Sequence, residues 1–233
     1  LDIHGADSQG MAQLKAFIAS SPDTYALQLH LGQTYLNRKN MERAKQTYQQ
    51  IIDQAGDSPD AEIAKTRLAA LLVSEKNNAA AMVLIEEVLE ENPRQKEALL
   101  IRAALALDSN EPDKGIADLR TLLKDDPGYV KAHRLKARVH LSKNEISLAR
   151  QSPENAIEAS PQEAAANIEL VRLLVNTGEL EEAVTVLERV LRFAPDNLAV
   201  NQSIVKIRAQ QKRWDAVMGI SERMRETHPE NPL

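Results

Sequence analysis

Cysteine is absent from the 233 residues. That excludes disulfides, thiolate nucleophiles and Cys-based zinc sites, but it leaves the compartment open, because a chain without thiols suits the cytosol and the periplasm equally. Aromatics are scarce, at 3%, and glycine numbers 8. Ala, Leu, Glu, Gln, Arg and Lys dominate instead, the alphabet of good helix formers, so an all-α fold is expected. An excess of positive charge is also missing: 29 basic residues stand against 34 acidic ones, a net charge of −5. Nucleic acid is therefore not expected as a partner. No long hydrophobic run occurs either. The longest, Ala98 to Leu107, is interrupted by Arg102 and falls far short of the roughly 20 residues of a membrane span. The opening Leu-Asp-Ile-His-Gly lacks the basic start and apolar run of a signal peptide. No Gly-rich phosphate loop, His-Glu-x-x-His or nucleophile elbow is present, so neither an enzyme nor a cofactor is expected.

What is there is a folded chain, with 43% hydrophobic residues, and a period. Seven of the ten prolines, Pro22, Pro59, Pro93, Pro127, Pro161, Pro195 and Pro229, lie 34 residues apart, except for a first interval of 37. Each follows an amphipathic segment and is flanked by polar residues, as in Glu-Glu-Asn-Pro-Arg and Lys-Asp-Asp-Pro-Gly, which is how one helix is stopped and another started. A second break falls midway: Asn-Arg-Lys-Asn at 37–40, Glu-Lys-Asn-Asn at 75–78, Asp-Ser-Asn-Glu at 108–111, Ser-Lys-Asn-Glu at 142–145 and Asn-Thr-Gly-Glu at 176–179. Each unit thus reads helix A, turn, helix B, turn. With the proline as position 32 of the unit, small residues recur where two helices must approach closely. Position 8 holds Gly32, Ala69, Ala103, Ala137, Val171 and Val205; position 20 holds Ala44, Ala81, Gly115, Ala149, Ala183 and Val217.

Leu31-Gly32, Tyr35, Ala44 and Tyr48 in the first full unit, and Leu170, Leu174, Ala183, Leu187 and Pro195 in the fifth, resemble the tetratricopeptide repeat signature Trp-x2-Leu-Gly-x2-Tyr, Ala-x3-Phe, Pro. The resemblance covers essentially the whole chain, although position 4 is never Trp and Arg102 and Lys136 occupy position 7. It implies an all-α, right-handed α-solenoid of antiparallel helix-turn-helix hairpins. The expected division is a partial repeat at 1–24 and full repeats at 25–61, 62–95, 96–129, 130–163, 164–197 and 198–231, in one array. The surplus of the first interval is expected near 53–58, as a longer final turn of helix or a longer loop.

The same resemblance implies a concave wall built by helices A, with positions 2, 5, 9, 12 and 13 facing a bound segment. In the first three units Leu29, Gln33, Thr66 and Leu100 fall there; in the last three, Lys131, Arg134, Arg138, Arg172, Gln202 and Lys206. Arg138, Arg172 and Lys206 share position 9 of successive units. Guanidinium groups hold carboxylates by charge-assisted hydrogen bonds, so the expected ligand is a peptide with an apolar portion followed by acidic groups. A merely solvated basic face is the competing expectation. The carboxylate clamp of some relatives needs Lys at position 5 and Asn at position 9; Leu29 and Gln33 stand there, and that function is not carried over.

His133 and His140, seven residues apart on one helix face, are expected to pack at a hairpin interface and not to bind metal, no carboxylate lying at helical spacing on that face. Trp214 is expected in the core. Glu86-Glu87, Glu90-Glu91 and Glu181-Glu182 are expected on solvated outer faces beside Lys and Arg. Pro153 stands where Tyr48, Ile85, Leu119 or Leu187 plugs other units. Because interior proline costs about 3 kcal/mol, a split at 150–153 is expected, with Ser152 capping a short second helix. Counting back from Pro22 puts Gly5 at a mid-unit turn, and both chain ends look cut, as in a fragment of a longer array. The function these features imply is a protein- or peptide-binding scaffold. By analogy with Ala- and Leu-rich arrays of bacterial envelope proteins, an export or assembly system is the expected setting. The alternative is a spacer or end-to-end self-association module supporting an enzyme domain elsewhere.

Overall fold

A computed structural model describes residues 3–21, 24–159, 164–227 and 230. Pro22, Pro161 and Pro229, and the repeat ends beside them, lie outside these. The described residues form thirteen α-helices and no strand, and they divide into two compact units, Leu1–Asp118 and Leu119–Leu233. The first holds α1 (Ile3–Ser20), α2 (Tyr25–Asn37), α3 (Met41–Ala55), α4 (Pro59–Ser74), α5 (Asn78–Glu91), α6 (Lys96–Asp108) and the start of α7 (Pro112–Asp125). The second holds the rest of α7, α8 (Val130–Ser142), α9 (Ile146–Ala159), α10 (Ala164–Thr177), α11 (Leu180–Leu191), α12 (Leu198–Gln210) and α13 (Trp214–Thr227). The division falls inside a helix and not in a linker.

Within the first unit α1 to α6 each pack on the next, and α2 and α4, and α4 and α6, also touch. In the second, α8 to α13 pack in sequence and α8 touches α10. This is the stacked-hairpin architecture of an α-solenoid. Tyr48, Ile51, Ile85 and Val88 in one unit and Leu174, Ala183 and Val184 in the other are almost wholly buried, each large side chain contributing about 1.5–3 kcal/mol. The small-residue columns sit at the close approaches. A Cβ on Gly115 would stand 2.9 Å from the Ala103 carbonyl oxygen, and one on Gly32 would overlap the Tyr48 ring.

The turns inside the hairpins repeat atom for atom. Lys39, Lys76, Asn110, Asn144, Gly178 and Lys212, all at position 15, adopt positive φ between 58° and 85°. The next residue in each case donates its N–H five residues back, as Asn77 does to the Leu72 carbonyl at 2.8 Å and Glu111 to Ala106 at 2.8 Å. This closes the helix end in a left-handed cap. Only one of the six residues is glycine, so the others carry the steric cost of a Cβ in that region. Lys76→Gly is expected to raise the unfolding free energy by about 0.5–1 kcal/mol; an unchanged urea midpoint would count against it.

Three expectations need correction. The surplus of the first interval appears neither at the end of α3 nor as a longer loop. It is an extra first turn on α4, where Ser58 caps the Ala61 N–H at 3.2 Å and Pro59 is the first helical residue, a position at which a missing N–H costs nothing. Gly5 lies inside α1, since one glycine costs only about 1 kcal/mol in a helix and does not end it. Finally, α9 runs unbroken through Pro153. Ser152 is buried and donates its hydroxyl to the Leu148 carbonyl at 3.1 Å. The packing of α9 between α8 and α10 holds the helix together across the proline.

Candidate protein-binding surface

Helices A carry the residues expected to meet a partner. In the first unit the wall is not what the sequence implied. Leu29 and Thr66 are buried, Leu29 in the core cluster with Tyr48 and Leu68, and the Leu29 carbonyl accepts from Arg67 at 3.0 Å. The Thr66 hydroxyl donates to Glu62. Leu100 is half-buried, and only Gln33 is exposed, donating to Asn37 at 3.2 Å. Leu29 and Thr66 are thus withdrawn from the expected groove, whereas Leu36, Val73, Leu100, Ala104 and Leu107, at the other positions assigned to it, are half-buried and Ala70 is exposed. Two faces of helix α4 are covered, because α2 and α6 both pack on it, and position spacing alone does not report that second neighbour.

The second unit presents the basic residues as expected in kind. Lys131, Arg134 and Arg138 on α8, Arg172 on α10, and Gln202 and Lys206 on α12 are all exposed. Arg134 reaches from α8 to the Glu169 carboxylate on α10 at 3.5 Å, and Arg172 approaches the same carboxylate at 3.4 Å. One surface therefore already gathers two guanidinium groups around a carboxylate. Both distances are long, which leaves donors on each guanidinium unengaged. Glu169 was not legible as part of the wall, because it stands at position 6, outside the positions assigned to it.

Several other charges join neighbouring helices. Arg102 makes a bidentate pair with buried Asp118 at 2.7 and 2.9 Å, fastening α6 to α7. Arg150 on α9 binds Glu154, Glu179 and Glu182 together. Glu181 collects Arg208, Arg213 and Gln211. The paired acids at 181–182 are thus ties between helices, not only solvated groups, while Glu87 pairs with Lys65 at 2.8 Å. Trp214 is 59% exposed instead of buried, as is Met218 one turn on, at 62%; Met41 and Ile146, at the same unit position 17, are exposed as well, at 37% and 40%.

Both histidines are buried on α8. His140 Nδ1 lies 2.7 Å from a Glu145 carboxylate oxygen, a partner from the following turn that helical spacing did not reveal; this hydrogen bond holds the Glu145 carboxyl below the usual range. His133 Nε2 donates to the Pro127 carbonyl at 2.7 Å. Burial pushes the His133 pKa below 6.5, the Pro127 carbonyl pulls it back, and the Lys136 charge adds to the lowering. His133 therefore takes up a proton at lower pH in the fold than in the unfolded chain, where protonation sets in below about 6.5. Its contribution is complete above that value and is lost as pH falls. The melting temperature is expected to drop between about pH 7.5 and 5, and to drop less in His133→Gln; equal slopes would contradict this. No group of three or more His, Asp or Glu that could hold a metal occurs among the described residues. None of the described helices is long and apolar enough to cross a membrane.

The sequence matches a tetratricopeptide repeat model over residues 72–139 and 148–207 and a tetratricopeptide repeat-like domain model over residues 4–98. No curated protein matches it. Solved structures with a similar fold include Pseudomonas aeruginosa pilF, at 16% identity and TM-score 0.63, covering 89% of this chain and 93% of that one. A tetratricopeptide repeat protein from Parabacteroides merdae has 14% identity and TM-score 0.59, covering 89% and 80%. MamA from Desulfovibrio magneticus RS-1 has 15% identity and TM-score 0.56, covering 76% and 98%. Family models that together span most of the chain, on a fold of stacked helical hairpins, have one meaning: the chain belongs to the tetratricopeptide repeat family.

Proposed function

We propose that the chain is a protein-binding scaffold whose second unit holds an acidic peptide segment against α8, α10 and α12. The observation that carries this reading is the convergence of Arg134 and Arg172 on Glu169. The reading is supported by Glu169 itself, a carboxylate held on this surface at distances long for charge-assisted hydrogen bonds. Lys131 and Arg138 on α8 and Lys206 on α12 are also exposed, without an ion pair among the described residues, and add positive charge to these helices on a protein whose net charge is −5. Exposed guanidinium groups on a rigid helical wall bind carboxylates in a fixed geometry at small entropic cost. The burial of Leu29 and Thr66 removes those two side chains from the proposed groove; the acidic portion of the ligand is the part assigned to the second unit.

The matched structures named above come from bacteria, and a bacterial envelope export or assembly system remains the proposed setting. The test is titration with glutamate-rich peptides by calorimetry. Arg138→Glu with Arg172→Glu is expected to weaken binding by about tenfold or more, and raised salt to weaken it in the parent protein. Binding that survives both substitutions removes the reading.

A further inference from the structure

We infer that the chain self-associates head to tail, the exposed Phe193 of one copy entering an apolar groove on the first unit of another. The groove is an open depression of about 550 Å³ between α3 and α5 over α4, with Leu68, Leu72 and Leu84 at its base, Ala80 and Val83 on the α5 side and Lys45, Gln46 and Gln49 on the α3 side. Val83, one of its walls, is 57% exposed. An aromatic ring laid in this shallow depression would cover Val83 and the apolar side chains beside it.

The fold does not impose this character. The corresponding cleft of the last hairpin, about 360 Å³, uses the same register, with Ile204 for Leu68, Ala216 for Ala80 and Ile220 for Leu84. There Arg208 replaces Leu72, Gly219 replaces Val83 and Glu188 replaces Gln49, and Arg213 and Arg223 also line it. The same cleft is therefore apolar in one unit and charged in the other.

Phe193 is the matching knob. It follows the end of α11 and is 89% exposed, the most exposed large hydrophobic residue described. Arg189 and Arg192 flank it, both exposed and with no ion pair among the described residues. The groove is bordered on the opposite sign: Glu86 and Glu90 continue the exposed face of α5 beyond Val83, and Asp53 lies on α3. Lys45, the cation at the other end, is taken up by Glu42 and Glu75 at 2.6 and 2.9 Å. An aromatic anchor flanked by cations thus faces an apolar depression with exposed carboxylates on the neighbouring turns of α3 and α5, a complementary pairing of charge. Because knob and groove are different surfaces, the contact is heterologous, and each copy can engage two others.

Sedimentation of the whole chain over a concentration series tests this. The mass is expected to rise with concentration. Phe193→Ala and Val83→Asp, both at exposed sites, are each expected to raise the concentration needed by about tenfold or more without altering the circular dichroism spectrum. Mixing the two variants leaves one intact contact per pair, the Val83→Asp copy offering its knob to the groove of the Phe193→Ala copy, so a one-to-one dimer that grows no further is expected. A parent protein of constant monomer mass, a Phe193→Ala variant that associates as the parent does, or a mixture without the mixed dimer overturns the inference.

Discussion

Gly32→Val is expected to lower the free energy of unfolding by about 3 kcal/mol, and Tyr48→Leu to recover much of that loss. A Cβ at Gly32 overlaps the Tyr48 ring, and Tyr48 is fully buried, so the ring has nowhere to go. The two columns trade size across the chain: Gly32 goes with Tyr48, Ala69 with Ile85, and Val171 with Leu187. The last pair belongs to one core cluster, which shows that valine fits when the plug is leucine. Tyr48→Leu alone should cost about 2 kcal/mol by leaving a void. The double variant should then be more stable than the sum of the single losses by at least about 1 kcal/mol. Strict additivity in urea denaturation would dismiss the pairing. Gly115 is the contrast, for its close neighbour is the Ala103 carbonyl, backbone that no side-chain change can move.

Pro153→Leu is expected to stabilise the protein by about 2 kcal/mol. An N–H at 153 restores the helical hydrogen bond to the Ala149 carbonyl and removes the ring's clash with it, a gain of about 3 kcal/mol. Fitting a larger side chain into a buried site returns about 1 kcal/mol of strain. The site is ready for an aliphatic plug, since Ile85, Leu119 and Leu187 fill the same position elsewhere and are buried. A thermal midpoint that stays the same or falls would show that the surroundings of Pro153 are shaped to the proline ring.

The failed expectation of a split helix at this residue is instructive. Local propensity sets a cost of a few kcal/mol, and burial of Ala149, Ser152 and Ala156 at the contacts of α9 offsets it. Trp214 fails in the opposite direction. Its aromatic character promised burial, but position 17 opens to solvent in other units as well, as exposed Met41 and Ile146 show.

The sequence by itself determined the repeat, the helix alphabet and the close approaches, because a 34-residue comb and columns of Gly and Ala record constraints local to one hairpin. Even the left-handed turn at position 15 falls at the breaks it marked. Only the tertiary structure decided which charges are free and which are spent. Glu181 reaches Arg208 across 27 residues, Arg134 meets Glu169 across 35, and Leu29 is lost to the core. Periodicity orders side chains around one helix; it carries no information on which neighbouring helix covers each of them.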